Sequence, residues 1–227
     1  MKVTTLKTVP AQRRKAGAFT LIEMIGVLAV IAILAALLIP KVFTAISNAR
    51  VNNAAVSAQT VKTALADHYA KFGSIPVDGS TNPPAQLTVG AGLALQYDQV
   101  LLKEGFLDKP FAVKIGDGIT DTTHTRVEVN TSNAGNVSPT TAVSGYALSG
   151  NGAANPATAT NEVASGSTIA QCIITGVTLS DAKDLNDRID GISLSAPNAT
   201  SDDVAGRVKY QYVASGTTTV YIYLTHR

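Results

Sequence analysis

Glu23 is the only charged residue in the nineteen-residue run Leu21–Ile39, whose other members are aliphatic, Met or Gly. A carboxylate inside a membrane-length apolar run costs about 2.5–3.5 kcal/mol, so its presence predicts a partner or a function. The plainer alternative is a carboxylate that snorkels or is protonated near an interface. No cation lies between Leu21 and Pro40, so a charge partner must come from elsewhere. The chemistry this points to is ion pairing in a low dielectric. Elsewhere, His68, His124 and His226 have no Cys or His at metal-ligand spacing, and there is no phosphate-cradling Gly loop, zinc pair or nucleophile elbow. The expectation is a non-enzyme without a cofactor. Cys172 is the sole cysteine, which excludes an intramolecular disulfide and predicts a reduced core thiol. Asp181, Asp184, Asp187 and Asp190 recur every three residues, and Asp202 and Asp203 follow in a later loop. Oxygen-rich clusters can hold calcium, whereas i, i+3 acids on a helix, here interleaved with Lys183 and Arg188, also make a solvated face.

These side chains must be positioned by helices and strands that are partly readable. At about 1.5 Å per residue, Leu21–Ile39 spans roughly 28 Å as a helix, one bilayer crossing. Five cations (Lys2, Lys7, Arg13, Arg14, Lys15) and no acid precede it, so the N-terminus is expected in the cytoplasm and everything after Pro40 outside. Residues 1–18 resemble a secretory signal, but the apolar run is too long for one. Beyond Pro40, Val42, Ile46, Ala49, Val56, Val61, Leu65, His68 and Phe72 follow at mostly three- and four-residue steps. One nearly continuous helix is predicted over Thr20–Phe72, locally interrupted at Pro40, whose ring crowds the carbonyl of Ala36. That stripe is expected to pack under a sheet, with His68 as a core or boundary residue. Gly73 and Pro76 supply the stop.

The run Phe19-Thr20-Leu21-Ile22-Glu23, preceded by basic and small residues and followed by apolar sequence to Pro40, resembles the N-terminus of type IV prepilins and type II secretion pseudopilins. The resemblance covers Ala18 to about Phe72. It implies that a prepilin peptidase cuts just before Phe19 and methylates the new amine, which makes Glu23 fifth and Pro40 twenty-second in the mature chain, both as in the family. The family usually has Gly before the cut and this chain has Ala18; a cut after Gly17 restores Gly but displaces both landmarks by one. The resemblance further implies that Phe19, Glu23 and Pro40 serve assembly. Its implied partners are other copies of the chain, the peptidase, an inner-membrane assembly platform, and the lipid bilayer before assembly. His68–Pro76 resembles the helix exit of major pseudopilins, and Val177–Tyr210 resembles the C-terminal part of some pilin heads. Major pseudopilins as a family carry a C-terminal calcium site, which makes Asp190, Asp202 and Asp203 the candidates here.

The chain has 227 residues, with 18 cations against 16 acids. Removing the leader's five cations leaves 13 against 16, a net −3, so no basic field for nucleic acid is present. Residues 73–227 make one ordinary domain. Within it the sequence predicts a short helix Ala94–Glu104 and strands at Phe111–Ile115, Thr125–Asn130, Val143–Leu148 and Ile169–Val177. A helix Asp181–Ile189 capped by Ser180 follows, then a hairpin of Val208–Val213 and Val220–Leu224. Residues 79–92 are turn-rich. The Thr-, Ser-, Asn- and Gly-rich stretch 116–166 reads as surface, either a variable, adhesive or glycosylated face or a solvated linker.

The whole is an α+β protein: leader 1–18, long helix 19–72 with its transmembrane part at 20–40, and a pilin-like head 73–227 with an antiparallel sheet. It is expected to be a single-pass inner-membrane protein with an extracytoplasmic head that enters a pilus or pseudopilus. A minor pilin of DNA uptake or adhesion, and a monomeric signal-anchored binding protein, are the alternatives.

Overall fold

The computed structural model describes residues 19–75, 97–121, 123–133, 135–141, 144–150, 158–194 and 200–227. The leader with Gly17 and Ala18, the stretch 79–92, the first residues of the 94–104 helix, and Val143 lie outside these. The chain divides into two units, residues 1–44 and 45–227.

Helix α1 (Leu21–Phe72) is continuous through Pro40, with no interruption there. Proline removes one backbone donor, and good helix formers on both sides keep the remaining ladder. Thr44 Oγ1 donates to the Pro40 carbonyl at 3.1 Å. The helix stops as expected: Gly73 takes φ +72° and its N–H bonds the carbonyl of Tyr69 at 2.7 Å. In the first unit the helical residues are long and apolar enough in run to cross a membrane, and almost every one is exposed.

In the second unit α1 buries Val51, Ala54, Ala58, Val61, Ala64, Leu65 and His68. This corrects the predicted stripe, of which Ile46, Ala49, Val56 and Phe72 are exposed. Val61, Leu65 and His68 go in as expected, while the earlier members of the stripe fall off the buried face, because weighting large aliphatics overlooked the alanines Ala54, Ala58 and Ala64 that admit close packing. Against this face lies a four-stranded antiparallel sheet, β1 (Arg126–Thr131), β2 (Thr168–Thr178), β3 (Val208–Tyr210) and β4 (Thr217–His226), in the order β1-β2-β4-β3. The shared core holds Val127, Val129, Ala170, Cys172, Ile174, Val220 and Ile222 with the α1 stripe and helix α2 (Tyr97–Lys103).

Three strand expectations fail locally. Phe111–Ile115 is not a strand, although Phe111, Val113 and Ile115 are buried; the Phe111 N–H goes to Asp98 Oδ2 at 3.0 Å instead of to a neighbour. Among the described residues of the expected Val143–Leu148 strand, 144–148, the pairing is an isolated parallel bridge, Ala147 to Ala205. The strand begun at Val208 ends at Tyr210, and the Tyr212 N–H turns to Asp202 Oδ1 at 2.7 Å. Helix α3 (Leu179–Ile189) is capped by Thr178, whose hydroxyl accepts from the Asp181 N–H, and not by Ser180.

The polar stretch 116–166 is not merely surface. Tyr146 and Val163 are buried with Ile169, Ile173 and Tyr221 in a cluster separate from the main core, and Val137, Ala147 and Ala159 form another with Val204. Along β2, Ile169 and Ile173 alternate with Ala170, Cys172 and Ile174, so this stretch covers the sheet face that α1 does not.

Candidate functional site

Thr20-Leu21-Ile22-Glu23 is a capping box, a signal present in the sequence as T-x-x-E. Glu23 Oε2 accepts from the Thr20 N–H at 2.8 Å and from Thr20 Oγ1 at 2.7 Å, while the Glu23 N–H donates to Thr20 Oγ1 at 3.3 Å. Glu23 therefore has a neutral partner in its own chain, in the first helical turn where a carboxylate also complements the helix dipole. No cation pairs with it among the described residues. Phe19 immediately precedes this turn and is 74% exposed. An amine created at Phe19 would thus sit one residue from the Thr20 N–H that Glu23 already engages.

The acidic residues of the head are drawn into separate structural tasks. Asp181 Oδ1 accepts from Ser47 Oγ on α1 at 3.1 Å, and Arg188 donates to Asn48 and Asn52 of the same helix. Asp190 accepts the N–H groups of Arg207 and Val208 at 2.7 Å each and pairs with Arg207 Nε at 3.1 Å. Asp202 holds the Tyr212 N–H, and Asp203 accepts from Asn186 Nδ2 at 2.8 Å and the Ala205 N–H at 3.1 Å. Burial pushes the Asp190 carboxyl up from its ordinary value, against the pull of those donors. Among the described residues no three His, Cys, Asp or Glu side chains gather as a metal-binding group.

Two buried networks gave no readable signal in the sequence. His68 Nδ1 meets Glu104 Oε2 at 2.6 Å and its Nε2 meets the Tyr97 hydroxyl at 3.1 Å, which ties α1 to α2 at its C-terminal end. Burial raises the Tyr97 hydroxyl, with Glu104 adding to the shift. His68 and Tyr97 are almost fully buried, and Glu104 keeps a partly exposed carboxylate. Lys209 is fully buried, and Nζ donates to Thr141 O and Ser144 Oγ at 2.9 Å and Gly145 O at 3.0 Å, 4.4 Å from the Tyr146 ring centre. Burial pulls its pKa down to about 7. Cys172 is buried at the sheet centre, and burial first, then Asp98, drives its thiol well above the usual range.

A search of curated proteins and a search of solved structures found no match to the chain. Residues 13–39 match the family model described as the prokaryotic N-terminal methylation motif. That span contains the Phe19–Glu23 capping turn and the apolar run behind it. With a membrane-length helix starting inside the matched span and an α+β head following, the chain carries the type IV prepilin and pseudopilin signal at its N-terminus.

Proposed function

We propose that this chain is a structural subunit of a type IV pilus or type II secretion pseudopilus. A prepilin peptidase cleaves it between Ala18 and Phe19 and methylates the new amine, and the subunit polymerises from the inner membrane through α1. The observation that carries the reading is Glu23, an acid without a cation at its own depth in a run of Leu, Ile and Val, within the matched methylation motif. The cleaved amine of Phe19 begins the same helix. Paired with the Glu23 of a neighbouring subunit, it makes a head-to-tail contact that does not close on itself and so builds an open helical filament. Breaking such a pair leaves a buried charge at a cost of about 3–5 kcal/mol.

Mass spectrometry of the mature chain reads the first step. The expected N-terminus is methylated Phe19, and an uncut Met1 terminus would remove the reading. Glu23→Ala, as the only copy, is expected to leave membrane insertion and cleavage intact but to block filament incorporation. Sheared-filament yield, set beside abundance in the membrane fraction, decides it: wild-type filament levels would sink the pairing role.

A further inference from the structure

Helix α2 carries a carboxyl group into the core without a counter-charge. Of its residues Tyr97, Asp98, Val100 and Leu101 are buried, Asp98 to 3% exposure. Val100 and Leu101 join the apolar core under the sheet, so hydrophobic contact seats the helix. Asp98 goes in with them. Its Oδ2 accepts the Phe111 N–H at 3.0 Å. Its Oδ1 is buried and has no hydrogen-bond partner among the described residues.

What surrounds this carboxyl decides which form suits the site. β2 presents Cys172, a buried thiol on which the Asp98 charge acts. β1 turns Val127 and Val129 into the core, while Arg126 and Glu128 alternate with them and pair with each other. From α1 comes His68, engaged by Glu104 at 2.6 Å and by the Tyr97 hydroxyl at 3.1 Å. Lys103, Asp108, Lys109 and Lys114, between the end of α2 and Ile115, are all exposed. No cation among the described residues pairs with Asp98, whereas the buried Asp190 has Arg207. Ionisation therefore leaves an uncompensated charge in the core, and the neutral acid does not. Burial holds the carboxyl above the ordinary aspartate range, against the pull of the N–H groups of Phe111, Asp98 and Gln99.

We propose that Asp98 is a proton-operated latch: with its carboxyl un-ionised α2 stays seated on the core, and ionisation loosens α2 from the sheet and from α1. Tyr97 and Glu104 flank Asp98 on the same short segment and both hold His68, so loosening at Asp98 reaches the C-terminal end of α1. The seated helix binds the proton more tightly than the released one. The latch is thus closed below the ordinary aspartate value of about 3.9 and opens as pH rises through the higher, seated value. It belongs to the head alone and does not depend on filament formation.

Hydrogen exchange of the purified full chain in detergent micelles tests it, read on peptides covering residues 97–106 from about pH 3.5 to pH 7.5 and corrected for the intrinsic pH dependence of exchange. The expected result is an opening equilibrium of α2 that grows with pH, by about tenfold for each pH step by which the seated value exceeds the free one, while β2 peptides do not follow. Asp98→Asn keeps the shape of the neutral acid and should hold α2 seated across the range; Glu104→Gln should keep the wild-type rise. The carboxyl carbon resonance of Asp98 in the unsubstituted chain reads the titration directly, so the test stands even if Asp98→Asn does not fold. Titration at or below the ordinary aspartate value would overturn the latch. So would opening of α2 indifferent to pH, a rise shared equally by β2, a rise that persists in Asp98→Asn, or one that vanishes in Glu104→Gln.

Discussion

Lys209 shows how one side chain can organise a stretch poor in apolar residues. Its three N–H donors meet three acceptors, two of them backbone carbonyls of the 141–145 loop, and the Tyr146 ring adds a cation–π contact. Those contacts favour the ammonium, while burial favours the amine and brings the pKa down to about 7. An unfolded lysine titrates near 10.4. Between the two values the unfolded chain holds a proton that the folded chain has lost, so stability rises with pH across that window and is lowest below it. Thermal unfolding followed from pH 6 to pH 9 should show the head more stable at the upper end by about 2 kcal/mol, and Lys209→Met should flatten the dependence. A wild-type curve already flat would mean that the three acceptors hold the charge.

At the scale of elements, the head depends on how loops lock into the irregular places of the sheet. The β2–β4 register shifts between Ile174 and Val177, where Gly176 takes φ +70°. The Asp117 N–H bonds the Thr175 carbonyl at 3.0 Å, and Thr175 Oγ1 donates to Asp117 Oδ2. A Cβ on Gly176 would lie 2.8 Å from both the nitrogen and the Cβ of Asp117. Gly176→Ala therefore combines a strained backbone with a clash against main chain, and should cost about 2–4 kcal/mol in denaturant unfolding. Gly118→Ala also has positive φ but nothing within 4 Å, so it should cost visibly less. Equal losses would show that backbone strain alone sets the cost.

For the whole molecule, the capping box adds a second task to the filament pairing proposed for Glu23, and the two are separable. Glutamine suits the third helical position of a capping box as well as glutamate does, but carries no charge. Glu23→Gln should keep the start of α1 and membrane abundance at wild-type levels and still fail to enter filaments. Normal assembly of this variant would assign Glu23 to capping alone. The contrast with Glu23→Ala, which removes cap and charge together, places any difference in membrane abundance on the cap.

The N-terminal half of α1, its Gly73 stop, β1, β2 and the antiparallel end of the chain were legible because they follow from local physics. A membrane-length apolar run, a left-handed glycine cap and β-branched stretches need no distant partner to be recognised. The methylation motif was legible for the same reason: an enzyme reads it along the chain. What the tertiary structure alone decided is which surface each element buries. The face of α1 under the sheet is set by how closely the strands approach, so Ala54 and Ala58 go in and Ile46 and Val56 stay out. Phe111–Ile115 looks like a strand but finds no ladder, because Asp98, thirteen residues earlier, takes the Phe111 N–H. The polar 116–166 stretch became a second cover for the sheet through Tyr146, Val163 and the acceptors of Lys209, contacts between residues far apart in sequence. Periodicity carries no information about such pairings, and they fix the head.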